Sequence, residues 1–166
     1  MRICLVPYFG HGNTCRYDST FFFDDKMLST EFMIIKHLST IKNHSFIVKA
    51  LKETAFTYIL KDFISKKQFQ NIYFHEGKLS ETLERCHLAI IDYPSSAILD
   101  ASKANIPTLV LAYKELLIRE KALDEFNNIS LFQYAKPADI LDKIDSFISS
   151  NEIILDRIKG KVTKQK

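Results

Sequence analysis

The sequence predicts an α/β protein: a mostly parallel sheet of about six strands, with helices on both faces. Three observations predict it. Short apolar runs recur along the 166 residues, and unbroken apolar runs mark strands buried on both faces, as parallel sheets require. Amphipathic stretches with helical spacing separate those runs. One stretch, Leu88 to Leu111 (LAIIDYPSSAILDASKANIPTLVL), reads as strand, turn, helix, strand, which is a complete βαβ unit.

Arg2 to Val6 is the first expected strand, stopped by Pro7. Tyr8 to Asp25 (YFGHGNTCRYDSTFFFDD) follows as a polar and aromatic loop. Loops of that length are uncommon in compact domains unless they serve a function. Gly10 and Gly12 let the backbone approach a ligand or take positive φ, but G-x-G without a third glycine is a weak dinucleotide signal. The alternative is a surface loop whose Phe21, Phe22 and Phe23 fold onto the core. Ser29 or Thr30 with Glu31 then opens a helix through Phe32 to Leu38. Ser45 to Val48 is the second strand, with Lys49 just past its end. A helix from Thr54 to Ile64 closes on Lys66 and Lys67, which suits the negative end of its dipole. Asn71 to Phe74 is the third strand, and His75, Glu76 and Gly77 form its exit loop. Ser80 heads a short helix, Glu81 to Arg85.

In the central unit, Leu88 to Asp92 is a buried strand broken by Tyr93-Pro94-Ser95-Ser96. Proline cannot donate to a ladder and disfavours helix just before it. Ser95 or Ser96 can cap the next helix, because a serine oxygen accepts from first-turn N–H groups. Pro107 follows that helix and Thr108 to Leu111 is the next strand. A charged helix is expected from Lys114 to Glu125, a last strand at Ile129 to Phe132, and a helix from Pro137 through Ile148; proline suits a first helical position. Residues 1–150 form one domain, and 151–166 add a short helix (Ile153 to Ile158) and a disordered lysine-rich tail.

Composition excludes several classes. Hydrophobic residues make up 46% and charged residues 26%, as in a soluble protein with a real core. A net charge of +3 is too small to argue for nucleic acid. Cys4, Cys15 and Cys86 are odd in number and lack metal spacing, so they read as reduced thiols of a cytoplasmic protein. No apolar run is long enough to span a bilayer, and no signal-peptide pattern opens the chain. No metal is expected: His75 with Glu76, and His87 with Asp92, lack H-E-x-x-H or similar spacing.

Nucleophilic catalysis has little support. Ser95 and Ser96 lack the G-x-S-x-G elbow, and Cys86 reads as a buried small hydrophobe. Anion binding is better supported. The serine turn lies at the carboxyl end of a strand, where open α/β sheets bind ligands, and a helix N-terminus there offers N–H groups to phosphate. Asp100, four or five residues on, can accept from ribose hydroxyls; it can equally be a solvated acid favoured by the helix dipole. Lys49 and Arg16 could add positive charge to the same mouth.

Asp92-Tyr-Pro-Ser-Ser-Ala-Ile-Leu-Asp100, with Asn105-Ile-Pro107 after it, resembles the D-Y-S-S-x-x-x-[DE]-A-x-x-x-x-x-P motif in the C-terminal halves of GT-B-type transferases. It is most similar to the CDP-glycerol glycerophosphotransferases and surface-polysaccharide glycosyltransferases. Phe46-Ile-Val-Lys49 resembles that family's strand ending in "VK", and Phe74 to Leu79 its "x-x-G-x-L". The match runs from about Ser45 to Leu111.

The resemblance implies a Rossmann-like half of a GT-B fold that binds a nucleotide-diphosphate-linked donor for cell-surface polysaccharide biosynthesis. Ser95 and Ser96 would hold the diphosphate, Asp100 the ribose or sugar hydroxyls, and Lys49 would stand near the phosphates. Gly10, Gly12 and Arg16 would face the interdomain cleft. No cofactor is implied. The partners implied are a companion acceptor domain or a second copy, with peripheral membrane contact in the full enzyme. Two departures matter. The family often continues "VK" as K-x-H-P, whereas this chain reads Lys49-Ala-Leu-Lys52, and its length suffices for one Rossmann-like domain, not two. The alternative is a catalytically inactive stand-alone module that binds a nucleotide or a partner protein.

Overall fold

A computed structural model of the chain describes residues 1–7, 24–50, 55–114, 123 and 125–163. In chain order the elements are β1 (Arg2–Val6), α1 (Asp24–Thr40), β2 (Ser45–Val48), α2 (Ala55–Lys67), β3 (Ile72–Phe74) and α3 (Leu79–Leu83). They continue as β4 (Leu88–Ile91), α4 (Ala97–Lys103), β5 (Thr108–Tyr113), β6 (Ile129–Tyr134) and α5 (Ala138–Thr163).

The strands form one six-stranded sheet in the order β3-β2-β1-β4-β5-β6, and every pairing is parallel. This is the Rossmann-like α/β architecture that the sequence predicts. The order reverses between β1 and β4, so successive connections leave in opposite directions there. In open α/β sheets the ligand crevice lies at the carboxyl ends of the strands that flank such a reversal.

Strand periodicity sorts the core into two layers. Ile3, Leu5, Phe46, Val48, Leu88, Ile90, Leu109 and Leu111 face one side, under Ile34, Ile35 and Leu38 of α1, Phe56, Leu60 and Ile64 of α2, and Ile140, Ile144 and Ile148 of α5. Cys4, Val6, Ala89, Ile91 and Val110 face the other side, under Leu79 and Leu83 of α3 and Ala97, Ile98 and Ala101 of α4. β4 is buried at every residue. Its unbroken apolar run is what both layers require.

Several boundaries differ from the sequence reading, for local reasons. α1 begins at Asp24, ahead of Ser29 and Thr30. Thr30 lies inside the helix and its hydroxyl donates to the Lys26 carbonyl at 2.9 Å, the back-bonded alternative to capping. α3 starts at Leu79 with Lys78 at the N-cap, so Ser80 does not head it. α5 is one helix where a break near residue 150 and a tail from Gly160 are expected. Its polar residues bond within the helix: Ser150 Oγ donates to Ser146 O at 2.8 Å and Asn151 Nδ2 to Phe147 O at 2.8 Å. The charged helix expected from Lys114 to Glu125 and the loop from Tyr8 lie mainly outside the described residues.

Candidate functional site

The carboxyl edge of the sheet is built in register. Leu5 pairs with Val48 on one side of β1, and Val6 pairs with Ile91 on the other. The ladder continues one step past both partners. Lys49 N–H donates to Leu5 O at 2.8 Å, and Asp92 N–H to Val6 O at 3.2 Å. Lys49 and Asp92 therefore flank the end of β1 at the reversal of strand order. Both side chains are buried.

Lys49 is not an open cationic arm. Its Nζ donates to the neighbouring Ala50 carbonyl. Burial lowers its pKa from the ordinary 10.5, opposed by the nearby Cys4, because a desolvated ammonium loses its hydration. Cys4 and Cys86 are buried free thiols. Cys4's pKa is raised by its hydrogen bond with Cys86 and by burial, while that bond lowers Cys86's. Cys86 is buried in the apolar layer beneath α3, the surroundings expected of a small hydrophobe.

The serine turn stands at the exit of β4. Ser96 occupies the N-cap of α4 with helical dihedrals (φ −58°, ψ −15°) and no side-chain cap bond. Ser95 serves as the weak cap, its Oγ accepting from Ala97 N–H at 3.4 Å. Backbone bonds close the turn: Ile98 N–H to Ser95 O at 3.1 Å and Leu99 N–H to Ser96 O at 3.0 Å. The exposed Ser96 is thus spared from capping. Ala97, Ile98 and Ala101 seat α4 on the sheet, and Asp100 is half-buried beside them in the first turn. A carboxylate there leans back toward the helix N-terminus, because helical side chains tilt that way.

The structure therefore brings Ser95, Ser96, Asp100 and Lys49 to one edge of the sheet, at or next to the reversal. Gly10, Gly12 and Arg16 lie outside the described residues. Among the described residues no group of three His, Cys, Asp or Glu side chains could hold a metal ion.

His75, at the exit of β3, is a feature of this edge that residue spacing does not reveal. Its Nδ1 lies 3.0 Å from Thr82 Oγ1 of α3, and Thr82 Oγ1 donates to the Lys78 carbonyl at 3.1 Å. Neighbouring Glu76 pairs with Lys61 of α2, which lowers the Glu76 pKa through the hydrogen bond and its charge.

A family model described as "LIC12162 family transferase" matches residues 8–129, well over half of the chain. The chain belongs to the LIC12162 family of transferases. No curated protein matches the sequence. Among solved structures, the glycotransferase of kitacinnamycin is similar at a TM-score of 0.54 and 10% identity, over 96% of this chain and 38% of that one. Spinosyn forosaminyltransferase SpnP is similar at 0.46 and 18% identity, over 96% of this chain and 39% of that one. The first likeness shows a shared fold, and the chain spans under two-fifths of the length of either structure. The LIC12162 match extends past both ends of the region, Ser45 to Leu111, that resembles GT-B transferases. No helix among the described residues is long and apolar enough to cross a membrane.

Proposed function

We propose that this LIC12162-family chain is the donor-binding half of a glycosyl- or glycerophosphotransferase. Its ligand is a nucleotide-diphosphate-linked donor, used to build a cell-surface polysaccharide. One observation carries the reading: the strand order reverses between β1 and β4, and Ser95, Ser96 and Asp100 stand at the carboxyl end of β4. Ligands of open α/β sheets bind at such a reversal.

In this reading, the backbone N–H groups of the serine turn and the Ser96 hydroxyl hold the diphosphate. Asp100 accepts from ribose or sugar hydroxyls. Lys49 supplies positive charge beneath the phosphates, from a buried position where charge is poorly screened. During transfer, negative charge builds on the leaving diphosphate. Donors fixed in advance stabilise that charge without reorganising. The acceptor and any base that activates it come from a companion domain or from a second copy. Gly10, Gly12 and Arg16 complete the donor site in this reading.

A thermal-shift and calorimetric screen against CDP, UDP, GDP, CMP and UMP tests the reading. A ligand that binds only the folded state raises its apparent stability. A shift with a diphosphate larger than with its monophosphate is expected, and the responding base names the donor. A well-folded chain that responds to none of the five would leave the second reading, a non-catalytic module. One sequence observation favours that reading: Lys49-Ala-Leu-Lys52 lacks the histidine of K-x-H-P.

A further inference from the structure

We propose that the groove between α5 and the amino ends of β5 and β6 is a saccharide-binding site, selective for a segment that carries a carboxylate. It lies at the edge of the sheet opposite the serine turn, one strand length away, about 20 Å for a six-residue strand. The inference goes beyond the donor-site reading and does not rest on it.

The groove exists because small polar residues stand where apolar ones would close the layer between β6 and α5. Ser130 pairs with Leu109 and Phe132 with Leu111, and those two leucines face the layer that holds α5. Phe132 packs against that core, whereas Ser130 is exposed. The result is a cavity of about 530 Å³, lined by Asn105, Asn127, Ser130, Lys143, Ser146 and Phe147 among others. That volume lies within the range of small-molecule sites.

The lining selects by chemistry. No acidic side chain lines the groove, although the chain carries 20 Asp and Glu residues. Asn105 and Asn127 are exposed, and their side chains make no hydrogen bond among the described residues. An amide both donates and accepts, which suits neighbouring hydroxyls on a sugar ring. Ser130 and Ser146 add hydroxyls of their own. Half-buried Phe147 supplies apolar surface for the C–H side of such a ring. Lys143 lines the same groove, its Nζ 5.5 Å from the centre of the Phe132 ring. No ion pair engages it among the described residues. A cation without a carboxylate of its own, set among uncharged donors and acceptors, matches a ligand carboxylate set among hydroxyls.

The frame of the groove is fixed in advance. Asn128 Nδ2 donates to Ala101 O at 3.2 Å and to Ile106 O at 2.8 Å, and Thr108 N–H donates to Asn128 O at 2.8 Å. These bonds tie the loop that carries Asn127 to the one that carries Asn105. Asn105 holds φ +51°, a conformation that asparagine tolerates, and its N–H donates to Ser102 O at 3.0 Å. A frame set before binding lowers the ordering cost of binding.

Calorimetry and amide NMR of the full chain with tetragalacturonate, which has one carboxylate per sugar, and with neutral maltotetraose test this. Tetragalacturonate should bind roughly tenfold tighter than maltotetraose, the worth of a hydrogen bond to a charged group, and shift the amides of Asn105, Asn127 and Ser146. Lys143→Gln should remove that tenfold preference and leave maltotetraose unchanged. Asn105→Gly, which keeps the positive φ, and Asn127→Ala should each weaken both sugars about fivefold. Ser146→Leu fills the groove and should abolish binding of both, while leaving the affinity for any nucleoside diphosphate at the opposite edge unchanged. The proposal is overturned if neither tetrasaccharide binds, if both bind equally, or if folded Ser146→Leu binds them as the wild type does. Where Ser146→Leu does not fold, Lys143→Gln decides: an intact preference for tetragalacturonate overturns the site. Failure of every nucleotide to bind, with the sugars still bound, removes the donor-site reading and leaves this one standing.

Discussion

Single residues at the carboxyl edge set affinity against stability. Asp100 is half-buried and Ser96 exposed, and neither side chain caps α4. Asp100→Ala should therefore weaken diphosphate binding about fivefold, the worth of a hydrogen bond, with the melting temperature nearly unchanged. Calorimetry and thermal melts on one preparation check this, and wild-type affinity in both Asp100→Ala and Ser96→Ala would remove both residues from the site. Lys49 behaves differently because it is buried. Its pKa is lowered from 10.5 mainly by burial, so between the folded value and 10.5 the unfolded chain binds more protons than the folded one. Stability must then rise with pH across that window. Lys49→Met should melt higher than the wild type at neutral pH, and that advantage should shrink as pH climbs toward 10.5. The same variant should bind diphosphate more weakly, a trade of stability for function. Melting curves from pH 7 to 10.5 would show it; an advantage that grows with pH would contradict it. Gly77→Ala should lose about 1–3 kcal/mol, because it puts a side chain at φ +146° and into the His75 ring.

At the scale of elements, α5 shows which interactions hold a helix. His37 Nε2 lies 2.7 Å from Asp145 Oδ1, and His44 Nε2 lies 3.8 Å from Glu152 Oε2. Both carboxylates are largely exposed, with side-chain exposures of 49% and 46%, and exposed pairs contribute about 0–1 kcal/mol. Ile140 and Ile144 on the same helix are fully buried under the sheet. Ile144→Ala should cost about 2–5 kcal/mol, while Asp145→Asn should stay within about 1 kcal/mol of the wild type. Chemical denaturation of the two variants makes the comparison directly. A larger loss from Asp145→Asn would mean that α5 is held by its ion pairs, not by its apolar stripe. α4 is seated the same way, through Ala97, Ile98 and Ala101. The serine turn thus keeps its geometry mainly because α4 is packed, since the Ser95 cap bond is long at 3.4 Å.

The whole molecule explains where the proposed site falls. Six parallel strands need helices on both faces, and the change of face falls between α2 and α3. The direction in which strands are added therefore reverses between β1 and β4, and because all strands are parallel the exits of β2, β3 and β4 share one edge. A nucleotide gripped there stabilises the entire fold by mass action, about 2.7 kcal/mol at a hundred times its Kd. For a domain of this size that is a rise of roughly 5–10 °C in melting temperature, and a smaller rise with the matching monophosphate. Scanning calorimetry reads both. Equal shifts for the two would place no special grip on the second phosphate and would count against the serine turn as its seat.

The sequence by itself determined the class of fold, the strands and the serine turn. Unbroken apolar runs such as Leu88 to Ile91 suit only positions covered on both faces, and helical spacing marks what covers them. Those signals are local, so they survive without coordinates. They led to Ser95, Ser96, Asp100 and Lys49, and the fold brings all four to one edge. The tertiary structure decided what depends on distant partners. Whether Ser150 and Asn151 end a helix or continue it depends on back-bonds inside α5. Whether Lys49 reaches solvent depends on the layers packed around it. What His75 touches depends on Thr82, which a different element brings within 3.0 Å of its ring. Residue spacing carries no record of that contact, because side chains of different elements meet only when the sheet and its helices are packed together.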